Sequence, residues 1–327
     1  MPEGPECRRY YDGWRAHCPG RVCTQAVIVG NTKVTQKWAL LVNNLIGMTC
    51  LDIVIRGKRI AIIFLPAGAP NSPEYYWILN GGYGMTGKVV YQDLSSPASV
   101  GSFTAGHQDL SAQASQNELP IHTKFYLEFD YSIRMIHEEP RPFSVWKISD
   151  YQDFQKTFQA IGHDYLTYHY PVTPLVSQAN PAVTYTNVII PAWFTVSQEQ
   201  LWQAFYAKIT TCSKILCLFL NNQKDFCGIG NYLKSEIMYR SQLLPTRLCT
   251  SLTVEDIQRL FKVIVDTIAE SYYYGGLSIR DYQDPYGNKG QFQYFVYKKE
   301  TDPHGYPVVW TDALDKQRTY YVVEMQR

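Results

Sequence analysis

Asn222-Gln223-Lys224-Asp225-Phe226-Cys227-Gly228-Ile229-Gly230-Asn231-Tyr232-Leu233-Lys234-Ser235-Glu236 decides how the second half of this chain folds. Gly228 and Gly230 permit two tight turns, because glycine adopts backbone conformations closed to other residues. The apolar run Ile215-Leu216-Cys217-Leu218-Phe219-Leu220 before them predicts a buried helix, and another helix starts close to Asn231. A helix start leaves backbone N–H groups without partners, so Gly230 and Asn231 make a natural seat for a phosphate. A plain helical hairpin with glycine turns fits the same residues. Outward from this stretch, Ser197 and Gln200 form a capping box for a helix through Leu201, Trp202 and Phe205. A third helix from Thr253 puts Ile257, Leu260, Phe261, Ile264 and Ile268 on one face. The second half is therefore mostly α.

Upstream the pattern is that of strands. Runs recur at Ala26-Val27-Ile28-Val29, Leu51-Asp52-Ile53-Val54-Ile55, Arg59-Ile60-Ala61-Ile62-Ile63-Phe64-Leu65, Tyr75-Tyr76-Trp77-Ile78-Leu79, Phe125-Tyr126-Leu127-Glu128-Phe129 and Ile133-Arg134-Met135-Ile136. Strands in succession without intervening helices predict an antiparallel sandwich. A first helix through Cys7, Tyr10, Tyr11 and Trp14, ended by Pro19-Gly20, precedes them. Residues 92–120, rich in Ser, Ala, Gln and Gly, read as a mobile insertion. Residues 167–193, with Pro171, Pro174, Pro181 and Pro191, read as a linker. The expected fold class is α+β and multidomain. An N-terminal antiparallel β-sandwich with flanking helices spans 1–166, a helical domain spans 194–274, and a last segment spans 275–327.

Composition narrows the class. The hydrophobic content of 46% supplies cores for two domains. A net charge of +1 argues against a simple polybasic binder, although residues 200–299 hold a basic excess. The 26 tyrosines suit base stacking and packed β-structure equally. No signal-peptide core and no apolar run of membrane-spanning length occur, so an intracellular protein is expected. The eight cysteines form no C-x-x-C pair; they read as reduced thiols, and neither a metal site nor a cofactor follows from them.

Met1-Pro2-Glu3-Gly4-Pro5-Glu6 carries chemistry of its own. Once Met1 is removed, Pro2 bears a free secondary amine, whose pKa near 8 leaves far more of it neutral at working pH than of a lysine. Such an amine is a ready Schiff-base nucleophile, and Glu3 supplies an acid beside it. In the tight basic turn Arg56-Gly57-Lys58-Arg59, Lys58 is either a solvated hairpin tip or a phosphate contact. Met85, within Asn80-Gly81-Gly82-Tyr83-Gly84-Met85-Thr86-Gly87, is either core filler or an apolar wedge. His137-Glu138-Glu139-Pro140-Arg141-Pro142-Phe143 forms a turn that holds a cation and an aromatic ring.

Met1–Glu6, Gly57-Lys58, Gly84-Met85-Thr86-Gly87, Gly228-Ile229-Gly230-Asn231 and Gly275-Gly276-Leu277-Ser278-Ile279-Arg280-Asp281-Tyr282, in this order, resemble the formamidopyrimidine-DNA glycosylase / endonuclease VIII family. The resemblance covers nearly the whole chain. It implies a helix-two-turns-helix domain after the sandwich and a β-hairpin finger at the end. It also implies a DNA repair enzyme that flips out an oxidised base, cleaves its glycosidic bond and nicks the strand by β,δ-elimination. Such an enzyme acts as a monomer on abasic or oxidised-base DNA wherever the genome is: nucleus, cytoplasm or viral replication site. By the same resemblance Pro2 attacks the deoxyribose C1′, Glu3 protonates the ring oxygen and Lys58 holds a flanking phosphate. Asn231, with Gly230, binds backbone phosphate. Met85, Arg141 and Phe143 fill the gap left by the extruded base. Pro142 departs from the pattern, since another basic residue is usual there.

The finger departs further. Val322 and Met325 stand where the family commonly has the C-x-x-C zinc ligands, and no cysteine follows Cys249. A structural zinc needs four ligands. A zincless finger of two strands, around Phe292–Tyr297 and Arg318–Val323, is expected, with Arg318 reaching a phosphate. The alternative function is a non-enzymatic damaged- or branched-DNA binding protein on the same scaffold.

Overall fold

Eight strands of the N-terminal half build two four-stranded sheets. The computed structural model describes residues 2–29, 42–83, 86–95, 119–140, 145–171, 196–278 and 282–327. Helix α1 (Gly4–His17) comes first, followed by β1 (Cys23–Ile28), β2 (Thr49–Arg56), β3 (Arg59–Leu65), β4 (Trp77–Gly82), β5 (Lys88–Asp93), β6 (Thr123–Phe129), β7 (Ile133–Glu138) and β8 (Val145–Ser149). One sheet has the order β1-β6-β7-β5 and the other β2-β3-β4-β8, with every pairing antiparallel. The sandwich is the one expected, and β5 and β8 are additions to the strands foreseen.

β3 explains its own sequence. Ile60, Ile62 and Phe64 enter the main core, where Phe64 stacks on Phe129 of β6 with ring centroids 6.4 Å apart. Ala61 and Ile63 join Val54, Ile78, Phe154 and Phe158 on the other side, beneath helix α2 (Tyr151–Gln159). A strand buried on both faces is continuously apolar, whereas a half-exposed one alternates. Asp150 caps α2 by accepting from the Asp153 N–H at 2.8 Å.

The helical half follows. β9 (His163–Asp164) runs into a 3₁₀ turn at Tyr165–Tyr168, and then come α3 (Gln198–Thr210), α4 (Leu216–Leu220), β10 (Phe226–Cys227), α5 (Asn231–Arg240) and α6 (Val254–Tyr273). The Ser197–Gln200 capping box forms as its spacing predicts, and Thr253 with Asp256 forms another at α6. Ile257, Leu260, Phe261, Ile264 and Ile268 are all buried.

Glycines let the two halves meet backbone to backbone. The Gly4 N–H donates to the Gly228 carbonyl at 2.8 Å, and the Gly57 N–H donates to Asp164 Oδ2 at 2.8 Å. β9 also pairs in parallel with β10, which ties the segment after the sandwich to the residues entering the glycine turns. Gly57 has φ +58°, and a Cβ there would lie 2.7 Å from the Cys227 carbonyl carbon.

The finger corrects one expectation. Its strands are β11 (Val309–Thr311) and β12 (Thr319–Tyr321), paired antiparallel. Phe292–Tyr297 is not a strand. Glu236 of α5 explains this, because its carboxylate accepts the N–H groups of Phe295, Val296 and Tyr297 at 2.9–3.0 Å and so takes the donors a ladder would need. Tyr297 does touch Tyr320, ring centroids 5.2 Å apart, but the strand partner of Tyr320 is Trp310.

Gly57→Ala adds a Cβ against backbone and forces a side chain into positive φ. It should destabilise the protein by about 2–3 kcal/mol in denaturant unfolding. An unchanged midpoint would mean that the two halves do not depend on this contact.

Candidate active site

Glu3 is the N-cap of α1 and forms a capping box with Glu6, whose Oε2 accepts the Glu3 N–H at 2.7 Å. The Glu3 side chain crosses to the other half of the protein. Its Oε2 accepts the Gly230 N–H at 2.6 Å and the Leu233 N–H at 3.3 Å, and its Oε1 accepts the Tyr232 N–H at 2.9 Å. These are donors at the start of α5, where the positive end of a helix receives an anion. A Cβ on Gly230 would fall 2.4 Å from the Glu3 carboxyl, so this approach requires glycine there.

Glu3 is only 2% exposed. Burial pushes its carboxyl up to about 7; Lys58 opposes the shift, Glu6 adds to it, and the Tyr232 and Gly230 N–H groups oppose it. A carboxyl with that value is about half protonated at pH 7 and can donate a proton there, whereas an ordinary glutamate is almost fully ionised. Pro2 is buried beside it in the chain. Lys58 occupies the β2–β3 turn after Gly57, half-buried and close enough to act on the Glu3 charge.

Glu6 has no role of its own in the sequence motif, and the structure gives it one. Its Oε1 accepts from the Tyr232 hydroxyl at 2.9 Å and from the Leu277 N–H at 2.9 Å, and burial raises its pKa. The Tyr232 hydroxyl also lies 3.0 Å from Ser271 Oγ on α6. The first helix is thereby joined to α5, α6 and Leu277 near the start of the last segment. The three-residue spacing of Glu3 and Glu6 was the available signal. Tyr232 carried none, because only the fold brings it to Glu6.

The remaining expected site residues are spread around this centre. Gly230, read as part of a phosphate seat, gives its N–H to Glu3. Asn231 opens α5, and its side-chain Oδ1 is buried without a hydrogen-bond partner among the described residues. Arg318 is exposed just before β12, its guanidinium 4.4 Å from the ring centroid of Trp310. Met85, Arg141 and Phe143 lie outside the described residues. The described residues hold no cluster of three or more His, Cys, Asp or Glu able to bind a metal ion. In the finger, Val322 packs with Tyr239, Val296 and Tyr320, and Met325 lies against that cluster. These side chains do not fit a zinc ion.

Comparison with known proteins agrees with this architecture. The Formamidopyrimidine-DNA glycosylase N-terminal domain matches residues 1–146, and the Formamidopyrimidine-DNA glycosylase H2TH domain matches residues 195–283. A formamidopyrimidine-DNA glycosylase of Bacillus cereus is 34% identical over 107 residues, which are 32% of this chain and 39% of that protein. One of Carboxydothermus hydrogenoformans is 38% identical over 86 residues, 26% of this chain and 33% of that protein. The matched stretches thus span well under half of these relatives. The Lactococcus lactis Fpg in complex with an abasic site containing DNA has the same fold, with a TM-score of 0.70 at 18% identity over 99% of both chains. MutM (Fpg) from Thermus thermophilus gives a TM-score of 0.68 at 20% identity, over 99% of this chain and 98% of that one. With the family's N-terminal and H2TH domain models matching in succession over most of its length, the chain belongs to the formamidopyrimidine-DNA glycosylase / endonuclease VIII family.

Proposed function

We propose that this chain is a base-excision-repair DNA glycosylase that removes oxidised bases through a Schiff base on Pro2 and nicks the strand as an AP lyase by β,δ-elimination. The observation that supports this most is the Glu3 carboxyl, buried, raised to about 7 and next to Pro2 in the chain. An acid that is still partly protonated at neutral pH, beside a nucleophile, suits proton donation as well as helix capping, which weighs against the binding-only reading.

In this reading the Pro2 amine, freed by loss of Met1, attacks C1′ of the damaged nucleotide. Glu3 gives its proton to the sugar ring oxygen, the base leaves, and the ring-opened iminium undergoes elimination of the flanking phosphates. Lys58 and Asn231 hold phosphates near the lesion, and Arg318 offers a planar fork to another. Met85, Arg141 and Phe143 would fill the gap left by the flipped base, whose lost stacking costs a few kcal/mol. The reading divides the chain into a catalytic unit at 1–166, a linker at 167–193, a DNA-binding unit at 194–274 and a lesion-loop and finger segment at 275–327. It places a monomeric enzyme inside the cell, at the genome. None of the helices among the described residues is long and apolar enough to cross a membrane.

Borohydride reduction of processed protein with abasic DNA should trap a covalent adduct, and a protein retaining Met1 should give none; absence of an adduct from processed protein sinks the enzyme reading. Glu3→Gln should lower base excision by about 10²–10⁴-fold while sparing the lyase step on abasic DNA. In the wild type, excision should follow a bell-shaped pH profile with its maximum between the Glu3 acid near 7 and the Pro2 amine near 8, falling by about tenfold per unit well below it as the amine gains a proton and well above it as Glu3 loses one. Parallel loss of both activities, or excision flat to pH 9, would contradict the role given to Glu3. Metal analysis of the purified protein should find less than stoichiometric zinc.

A further inference from the structure

Lys234 and Asp315 form a buried ion pair, 0% and 2% exposed, between α5 and the finger loop 312–318. Asp315 Oδ2 accepts from Lys234 Nζ, from Asn221 Nδ2 at 3.3 Å and from Cys217 Sγ at 3.5 Å, while its Oδ1 accepts the Gln317 N–H at 3.1 Å. The next turn of chain is fixed too: Cys217 Sγ lies 3.4 Å from Thr319 Oγ1, and the Tyr320 N–H donates to Ser235 Oγ at 3.2 Å. Arg318 sits inside this set of anchors with its guanidinium over Trp310.

Taking two charges out of water costs free energy that an apolar pair of similar volume would not, so a buried ion pair is poor stabilisation for its size. What it does supply is direction and a fixed distance. Lys234 lies one helical turn beyond Asn231, so α5 carries a phosphate-seat residue at its start and the finger's tether one turn later.

We propose that Lys234 and Asp315 are positioning residues for DNA binding. The pair locks the finger loop to α5, so that Arg318 and Asn231 are held at a fixed spacing for neighbouring phosphates. The tether does in this finger what a bound metal does in a zinc hairpin. It rests on the reading of Arg318 as a phosphate contact.

The test is a double-mutant cycle on the full-length processed chain, with binding to a duplex carrying a tetrahydrofuran abasic analogue measured across a salt series. Arg318→Ala should weaken binding about tenfold and reduce the slope of log K against log salt by about 0.9. Asp315→Asn should do the same, and in the Arg318→Ala background it should have no further effect. If Arg318→Ala leaves affinity and slope unchanged, the Arg318 reading fails and the tether with it. If Arg318→Ala weakens binding but Asp315→Asn adds an equal loss in both backgrounds, or none in either, the tether alone is overturned. Should Asp315→Asn not fold, Asn221→Ala, which removes one donor and leaves the ion pair intact, is read in the same cycle with a smaller expected loss.

Discussion

The structure depends on one carboxylate that serves two helices. Glu3 caps α1 through its place in the chain and caps α5 through its side chain, and these helices belong to opposite halves of the protein. Helix starts are short of hydrogen-bond acceptors, and a carboxylate answers that shortage well. Because it is buried, the same group is also a strong candidate for a proton carrier at neutral pH. Architecture and chemistry therefore constrain each other here: removing the acid also removes a cap, and filling the space at Gly230 displaces the acid.

Around this contact the two halves are fitted with glycine at three points of close approach. Gly4 and Gly228 share a backbone hydrogen bond, Gly57 rests on the Cys227 backbone, and Gly230 faces the Glu3 carboxyl. The catalytic candidates thus come from a helix start, a hairpin turn and a helix-entry turn, placed by contacts in which backbone N–H groups donate. The outer DNA-facing candidates are placed differently, by ionic and aromatic side chains in the finger. Glu236 holds residues 295–297 and Asp315 holds the finger loop, both from or onto α5. One helix therefore organises the acid at its start and the finger along its length.

Much of this was legible in the sequence because it depends on local pattern. The capping residues Ser197 and Thr253 announced their helices, and the runs at Ile53–Ile55 and Phe125–Phe129 announced strands. What escaped had a tertiary cause. Phe292–Tyr297 has the aromatic content of a strand, yet the N–H groups of Phe295, Val296 and Tyr297 are claimed by Glu236 from 59 to 61 residues away. Helix α2 is different: its Asp150 cap and its buried Phe154 and Phe158, four residues apart, are local signals of a short amphipathic helix.

The sequence by itself determined the strand and helix succession, the Pro2–Glu3 start, the glycine turns and the absence of cysteines from the finger. Each of these is written in residue type and near spacing. Only the tertiary structure decided that Glu3 is buried at the head of α5, that Glu6 links the first helix to the loop at Leu277, and that Lys234 meets Asp315. Those partners lie 227, 271 and 81 residues apart. Burial and long-range pairing, which set pKa values and fix distances, arise only when the chain closes on itself.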